Sequence, residues 1–501
     1  MRRILDLPVL LRVLAPLLLL PLLGLAARSH ALTALQQQVG RARAFRSYPT
    51  LARGLAAVAG YQPWRPELWE QAGLYAFQGG DYENALLALR RAESEGRLSP
   101  LGSLYLGDAY RQAGDLEAAA TAWEAARPGV DAGELASRWL EIHEGTGDIL
   151  AVTSDLQELV ALRPADVHLR YRLGLHLAAQ QPVDALPHLA QAADLDASLK
   201  SQANYLINSI RTASLAGDPA YLLLESGRAL ASTGEWALAA QAFRASIAAA
   251  PEYAEAWAYL GEAIQQFAVS GSAGIEEQTA DDRPLTGSSS PAGGDHAAQG
   301  LTELEKALAL DPRSLAANTL MALYWQRRGS YDLAQEYLNK AIALYPDNAA
   351  LQGQLGSTLA LSGDLEAALG AYRRGVELAP LQAEPWRLLA GFSVLHEYLL
   401  REEGLPAARR AAALDPKDPA NLDMLGQVLL LLEDFSTSQR SFQTAIDLDP
   451  GYAPAQVHLG LVYALQGDTR RAYQAWKGVA AGAPGTPAAE QAERLLKNYF
   501  P

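Results

Sequence analysis

A beat of 34 residues constrains this chain more than any other feature. In residues 315–346, LAANTLMALYWQRRGSYDLAQEYLNKAIALYP, an apolar helical stretch runs from Leu315 to Trp325 and Gly329 breaks it. A second stretch runs from Tyr331 to Leu344, and Pro346 ends it. Thirty-four residues on, Gly363, Ala368 and Pro380 stand where Gly329, Ala334 and Pro346 stood. Glycine supplies a turn between two helices, and proline cannot continue the second. A chain built on such a unit grows by stacking and not by enlarging one core, so 501 residues need not be divided into ordinary globular domains.

Composition agrees with helices. Half the residues are apolar, Ala and Leu dominate, and no strand-like alternation of β-branched residues stands out. The net charge is −15, and residues 1–31 are themselves basic, with Arg2, Arg3, Arg12 and Arg28 against Asp6. The body is therefore more acidic than the whole, which repels nucleic acid and anionic head groups. There is no cysteine, hence no disulfide and no thiolate metal site.

The N-terminus reads as a targeting segment. A basic start is followed by an apolar run to Ala27, and Ser29-His30-Ala31 places small residues at −3 and −1 of a cut after Ala31. Left uncut, Val9–Ala27 is just long enough to span a bilayer, with Arg2, Arg3 and Arg12 held on the cytoplasmic side. Cleaved signal peptide and uncleaved anchor both remain open, and either sends residues 32–501 across the membrane.

From Pro66 the anchors recur in one register: a large residue at position 4, Leu then Gly or Ala at 7 and 8, and a large residue at 11. Gly falls near 15, Ala at 20, a large residue at 24, Ala at 27 and Pro at 32. Small residues at 8, 20 and 27 let paired helices approach, and large ones at 4, 7, 11 and 24 fill the space between them. The pattern resembles the tetratricopeptide repeat family over about 66–485. The resemblance implies an all-α fold: a right-handed superhelical solenoid of about eleven helix-turn-helix repeats with a C-terminal capping helix.

The expected organisation has a signal peptide or anchor at 1–31, a helical lead-in at 32–65 and an N-terminal array at 66–267, irregular over 133–218. Repeat six starts with Trp257, Leu260 and Gly261, but its second helix resumes only at Gly300-Leu301, 27 residues late. The intervening stretch 268–299 is rich in Gly, Ser, Pro and acid and reads as a disordered insertion at a helix–helix turn. A C-terminal array at 300–485 and a capping helix at 486–501 complete the chain.

No constellation of catalytic residues stands out. HExxH and GxxxxGK[ST] are absent, the eight histidines are scattered, and no stretch outside the repeats is long enough for a catalytic domain. The expectation is a non-enzyme without cofactor or metal. The arginine pairs Arg90-Arg91, Arg373-Arg374 and Arg409-Arg410 fall at positions 25 and 26, on the second helix, and read as a solvated outer face.

In the family, positions 2, 5, 9, 12 and 13 of the first helix line a concave groove for a ligand peptide. This chain lacks the Lys, Asn and Arg set of the chaperone-binding members. Position 13 instead reads Leu361, Leu395, Leu431 and Leu465 in successive repeats, and position 12 reads Ala360, Val394, Leu430 and Ala464. Leu323, Leu361, Val394, Leu395, Leu430, Leu431 and Leu465 are thus candidates for an apolar ladder receiving an amphipathic helix or an extended apolar segment. The alternative is that these leucines only pack between neighbouring first helices.

The functional expectation is a protein-interaction scaffold with protein or peptide partners, extracytoplasmic, attached to the membrane if the N-terminal segment stays uncut, and not a nucleic-acid binder. It would serve envelope, secretion or polysaccharide assembly. Two other readings stand beside it: an accessory substrate-presenting subunit of a glycosyl- or peptidyl-transfer system, and a cytosolic chaperone adaptor.

Overall fold

The computed structural model describes residues 28–96, 98–278, 300–482 and 484–500. Most of the N-terminal segment 1–31, and residues 279–299 of the expected insertion, lie outside the described residues. Among the described residues every regular element is helical. The chain divides into two compact units, Met1–Asn208 and Ser209–Pro501.

The first unit opens with a hairpin. Helix α1 covers 28–44, and α2 covers Tyr48–Tyr61. Leu32, Leu35, Val39 and Ala42 of α1 pack on Leu51, Leu55 and Val58 of α2. Helix pairs follow: α3 (Glu67–Gln78) with α4 (Tyr82–Ser94), and α5 (Pro100–Gln112) with α6 (Leu116–Ala126). The irregular zone keeps the same plan, with α7 (Ala132–Thr146) and α8 (Ile149–Leu162), then α9 (Val167–Ala178) and α10 (Pro182–Leu195). A single helix, α11 (Lys200–Ser214), contains the boundary between the units.

The second unit contains α12 (Pro219–Ser232) and α13 (Trp236–Ala249), then α14 (Ala254–Gln278) and α15 (Leu301–Leu310). Helix α14 continues to Gln278, so the stretch expected to be disordered from 268 begins as helical backbone. Helix α15 starts at Leu301, where the register resumes, behind Gly300 at φ 82°. Four further pairs are α16 (Leu315–Arg327) with α17 (Tyr331–Leu344), α18 (Ala349–Leu361) with α19 (Leu365–Leu378), α20 (Ala383–Leu395) with α21 (Leu405–Leu414), and α22 (Pro419–Leu431) with α23 (Phe435–Leu448). A last pair, α24 (Ala453–Leu465) and α25 (Thr469–Gly482), is covered by α26 (Pro487–Tyr499). Tyr499 and Phe500 close over the ring of Trp476.

The anchors act as their chemistry predicts. Position 8 glycines face the large residue at 24: a Cβ on Gly107 would collide with the Trp123 indole, and one on Gly460 with that of Trp476. Both tryptophans are fully buried, and each indole N–H donates to a first-helix carbonyl, Leu104 O at 3.1 Å and Val457 O at 2.9 Å. Several of the turns carry a Gly-Asp pair. Gly114, Gly147 and Gly363 take left-handed backbone, and Asp115, Asp148 and Asp364 after them accept the N-terminal amide bonds of the second helix. These capping carboxylates stand where the helix dipole favours negative charge.

Position 4 does more than fill space. Trp257, Asn318, Trp386 and Gln456 each donate a side-chain N–H to the proline carbonyl six residues earlier, at 2.7–3.1 Å. The shared property of these unlike residues is a donor, which fastens each first helix to the end of the preceding repeat. Where repeat nine loses its turn glycine, Glu397 and Leu399 take positive φ and a π-helical turn, Leu400–Gly404, absorbs the two extra residues.

Candidate functional site

The position 13 leucines end α18, α20, α22 and α24, each one residue past a packed neighbour. Leu361, Leu395, Leu431 and Leu465 are 48, 76, 39 and 55 % exposed. At position 12, Ala360 is buried, and Val394 and Leu430 are half-buried against the core clusters beneath them. One residue is a 100° step around the helix, enough to turn position 12 inward and position 13 outward. Neighbouring first helices pack at about 8–10 Å, which sets the spacing of the rungs.

Leu323, at position 9 of α16, is half-buried and lines a depression of about 230 Å³ with Thr319, Gln326, Gln354 and Ser357. Ser357 also borders a second depression of about 220 Å³, lined by Leu361, Arg387, Leu388, Leu395 and His396. The two have Ser357 of α18 in common and lie next to each other along α16, α18 and α20. Their floors are small, with Ala322 and Gly391, and their rims are leucine.

The polar groups of this face are distributed unevenly. Arg327 occupies position 13 in α16, where the later repeats carry leucine, and it makes a two-pronged ion pair with Glu262 of α14 at 2.7 and 2.8 Å. Gln326 accepts from Thr358 Oγ1 at 2.9 Å. Position 5 is largely withdrawn from the surface: Gly353 and Val457 are buried, and so is Asp423, which meets His458 at 2.8 Å and Gln427 at 2.9 Å. Thr319 and Arg387 stay half-buried at the surface, and of these Arg387 is the charged one. Its Nε is buried without a hydrogen-bond partner, and among the described residues no carboxylate pairs with its guanidinium. Burial pushes the nearby Tyr452 hydroxyl up to about 12, with Asp423 and Asp418 adding to the shift and Arg387 opposing it.

Sequence reasoning placed the leucines, Arg387 and Arg327 at the variable positions of the first helices, but it did not foresee that Arg387 would lack a carboxylate or that Arg327 would pair with Glu262. The break in the leucine series at Arg327 was the available signal for the latter. In the first unit, Trp69, Ala72 and Ala76 of α3 line a separate depression of about 340 Å³ with residues of α2 and α4. The arginine pairs of the second helices face solvent, where Arg91, Arg374 and Arg471 pair with Glu95, Glu377 and Asp468. Among the described residues no three His, Asp or Glu side chains come together to hold a metal, and no helix is long and apolar enough to cross a membrane.

A profile of the tetratricopeptide repeat family matches residues 70–131, 224–266, 319–383 and 424–487. These regions hold strong glycine turns and pass over the irregular zone. No curated protein matches the chain in sequence. Among solved structures, yeast Tom70 is similar at 13 % identity over 94 % of this chain and 96 % of its own, with a TM-score of 0.42. MamA from Desulfovibrio magneticus RS-1 is similar at 22 % identity over 34 % of this chain and 97 % of its own (TM-score 0.29). The pilF protein of Pseudomonas aeruginosa is similar at 16 % identity over 49 % and 98 % (TM-score 0.32). With helix pairs, glycine contacts and capped turns recurring in the register that this profile describes, the chain belongs to the tetratricopeptide repeat family.

Proposed function

We propose that the chain is a non-enzymatic interaction scaffold whose first helices from α16 to α24 receive an apolar helix or extended segment of a partner protein. The observation that carries this reading is the exposure of Leu361, Leu395, Leu431 and Leu465 at one register position of four successive repeats. Scattered exposed leucines are ordinary, but a run of them repeating along one face beside a groove is what a partner's apolar side chains would cover. Arg387, uncompensated at the groove wall, adds a preference for a carboxylate on that segment. The basic and apolar N-terminal segment supports a place for the array on the outer side of a bacterial-type membrane, in envelope, secretion or polysaccharide assembly.

The chain has no cysteine, so Leu361→Cys carries a single benzophenone crosslinker. Crosslinking in membranes of the source cell, followed by mass spectrometry, identifies the touching segment, which is then synthesised and titrated against the full chain. Leu395→Glu with Leu431→Glu is expected to weaken binding at least tenfold, since each removes an apolar contact of about 1.5–3 kcal/mol. The melting temperature should stay within a few degrees, because both side chains are exposed. Equal binding by the folded double variant would sink the proposal.

A further inference from the structure

The charge of the chain is not evenly spread. Between residues 28 and 66 there are six arginines and no acidic residue, in a chain whose net charge is −15. The whole of this stretch is the α1–α2 hairpin and the short link to α3. Its tip, Arg41-Ala42-Arg43-Ala44-Phe45-Arg46, buries only Ala42; the three arginines are exposed, and Phe45 is 83 % exposed. Among the described residues Arg41, Arg43 and Arg46 have no carboxylate partner, Arg53, one and a half turns into α2, donates only to the Pro49 carbonyl, and Arg65 at the far end pairs with Glu67 of α3. At the other end of α2, about 20 Å away by helical rise, Trp64 is 72 % exposed. Val39 lies against Gly54, so the two helices run antiparallel and Arg28 stands at the Trp64 end.

We propose that the α1–α2 hairpin is a membrane-docking element that lies along an anionic bilayer surface, with Arg41, Arg43 and Arg46 on lipid phosphates and Phe45 in the interface. The inference is independent of the peptide groove, which lies in the other unit. Uncompensated arginines interleaved with exposed aromatic rings are the chemistry of an interfacial helix, since aromatic rings settle at head-group depth and each arginine gains from the negative surface. In the sequence the hairpin follows directly on the apolar run Val9–Ala27. An acidic remainder turns the rest of the chain away from the same surface, so the charge asymmetry also sets orientation. A nucleic-acid duplex would satisfy the arginines but leaves Phe45 in water.

The test uses the full chain with Ala44→Cys carrying an environment-sensitive dye, and Ser362→Cys, in the exposed α18–α19 turn, as the reference position. With phosphatidylglycerol-containing vesicles the Ala44 dye should shift to the blue, the shift should vanish in about 1 M salt, where the Debye length is about 3 Å, and the Ser362 dye should not move. Pure phosphatidylcholine vesicles should give no shift. Arg41→Gln with Arg43→Gln and Arg46→Gln should raise the lipid concentration for half the shift about a hundredfold. The salt comparison needs no variant, so the proposal stays testable even if the triple variant folds poorly. A dye that stays solvent-exposed on anionic vesicles overturns the proposal. So does a shift indifferent to salt and lipid charge, or one produced by a DNA duplex and not by vesicles.

Discussion

At the scale of the residue, the pair of positions 12 and 13 shows what a sequence can and cannot tell. Val394-Leu395 and Leu430-Leu431 are apolar doublets with no internal difference in type, yet one member of each packs on the core and the other faces water. The repeat register located the doublets. Which member faced outward depended on the helix rotation relative to its neighbours, a tertiary quantity. His176 on α9 is a second residue whose environment decides its behaviour. Burial, reinforced by the charge of Arg172, lowers its pKa from 6.5 to about 4. Between those values the unfolded chain binds the proton and the folded chain does not, so stability rises with pH from about 4 to 6.5 and falls as pH drops through that window. Neutral His176 is thus compatible with the fold at pH 7, and by pH 4 its preference for the unfolded chain costs about 3 kcal/mol. Urea titrations at pH 4 and pH 7 should show the wild type losing about that much more than His176→Gln. Identical pH slopes for the two proteins would mean that His176 does not titrate in this way.

At the scale of the element, the interruption in repeat six was legible and its repair was not. The late return of the register put the second helix at Gly300-Leu301, and α15 begins at Leu301. Nothing in a 34-residue period signals that α14 must be held to α16 by a side-chain pair, because Glu262 and Arg327 are separated by the interruption. Glu262 is 8 % exposed, so its carboxylate depends on the Arg327 fork, and on one bond from Gln266 Nε2 at 2.8 Å, for the hydrogen bonds it lost on leaving water. Arg327→Met should therefore cost about 2–3 kcal/mol, less than a fully buried pair because Arg327 is itself partly exposed. Glu262→Gln combined with Arg327→Met should recover most of that loss, since the stranded charge is gone. A denaturant-based double-mutant cycle measures both. Additive losses would show that the pair contributes no coupling between α14 and α16. The missing turn glycine of repeat nine was likewise readable as a gap, but the π-helical turn that fills it follows from how α20 and α21 must still pack.

At the scale of the whole molecule, a stack of repeats has no single centre. Each helix pair touches mainly the pair before and the pair after, and stability is close to a sum of local terms. Within the second unit this can be examined at its end, where Trp476 carries the last repeat. Its ring is fully buried against Gly460, bonds to the Val457 carbonyl and supports Tyr499 and Phe500 of the cap. Trp476→Ala should cost about 3–5 kcal/mol locally. In a globular core of one cooperative unit that loss would appear everywhere at once. In a stack it should be confined, because α16 packs mainly on α14, α15 and α17, and α18 on α17, α19 and α20, so both draw their stability from their own neighbours. Hydrogen exchange followed by mass spectrometry should find protection lost in α24, α25 and α26, reduced in α22 and α23, and unchanged in α16 through α19. Such a gradient would leave the Leu361 and Leu395 rungs in place, so a ligand bound there should survive the variant with little change in affinity. A uniform rise in exchange across the second unit would instead mean that its helices open together, and that damage at the cap reaches the groove.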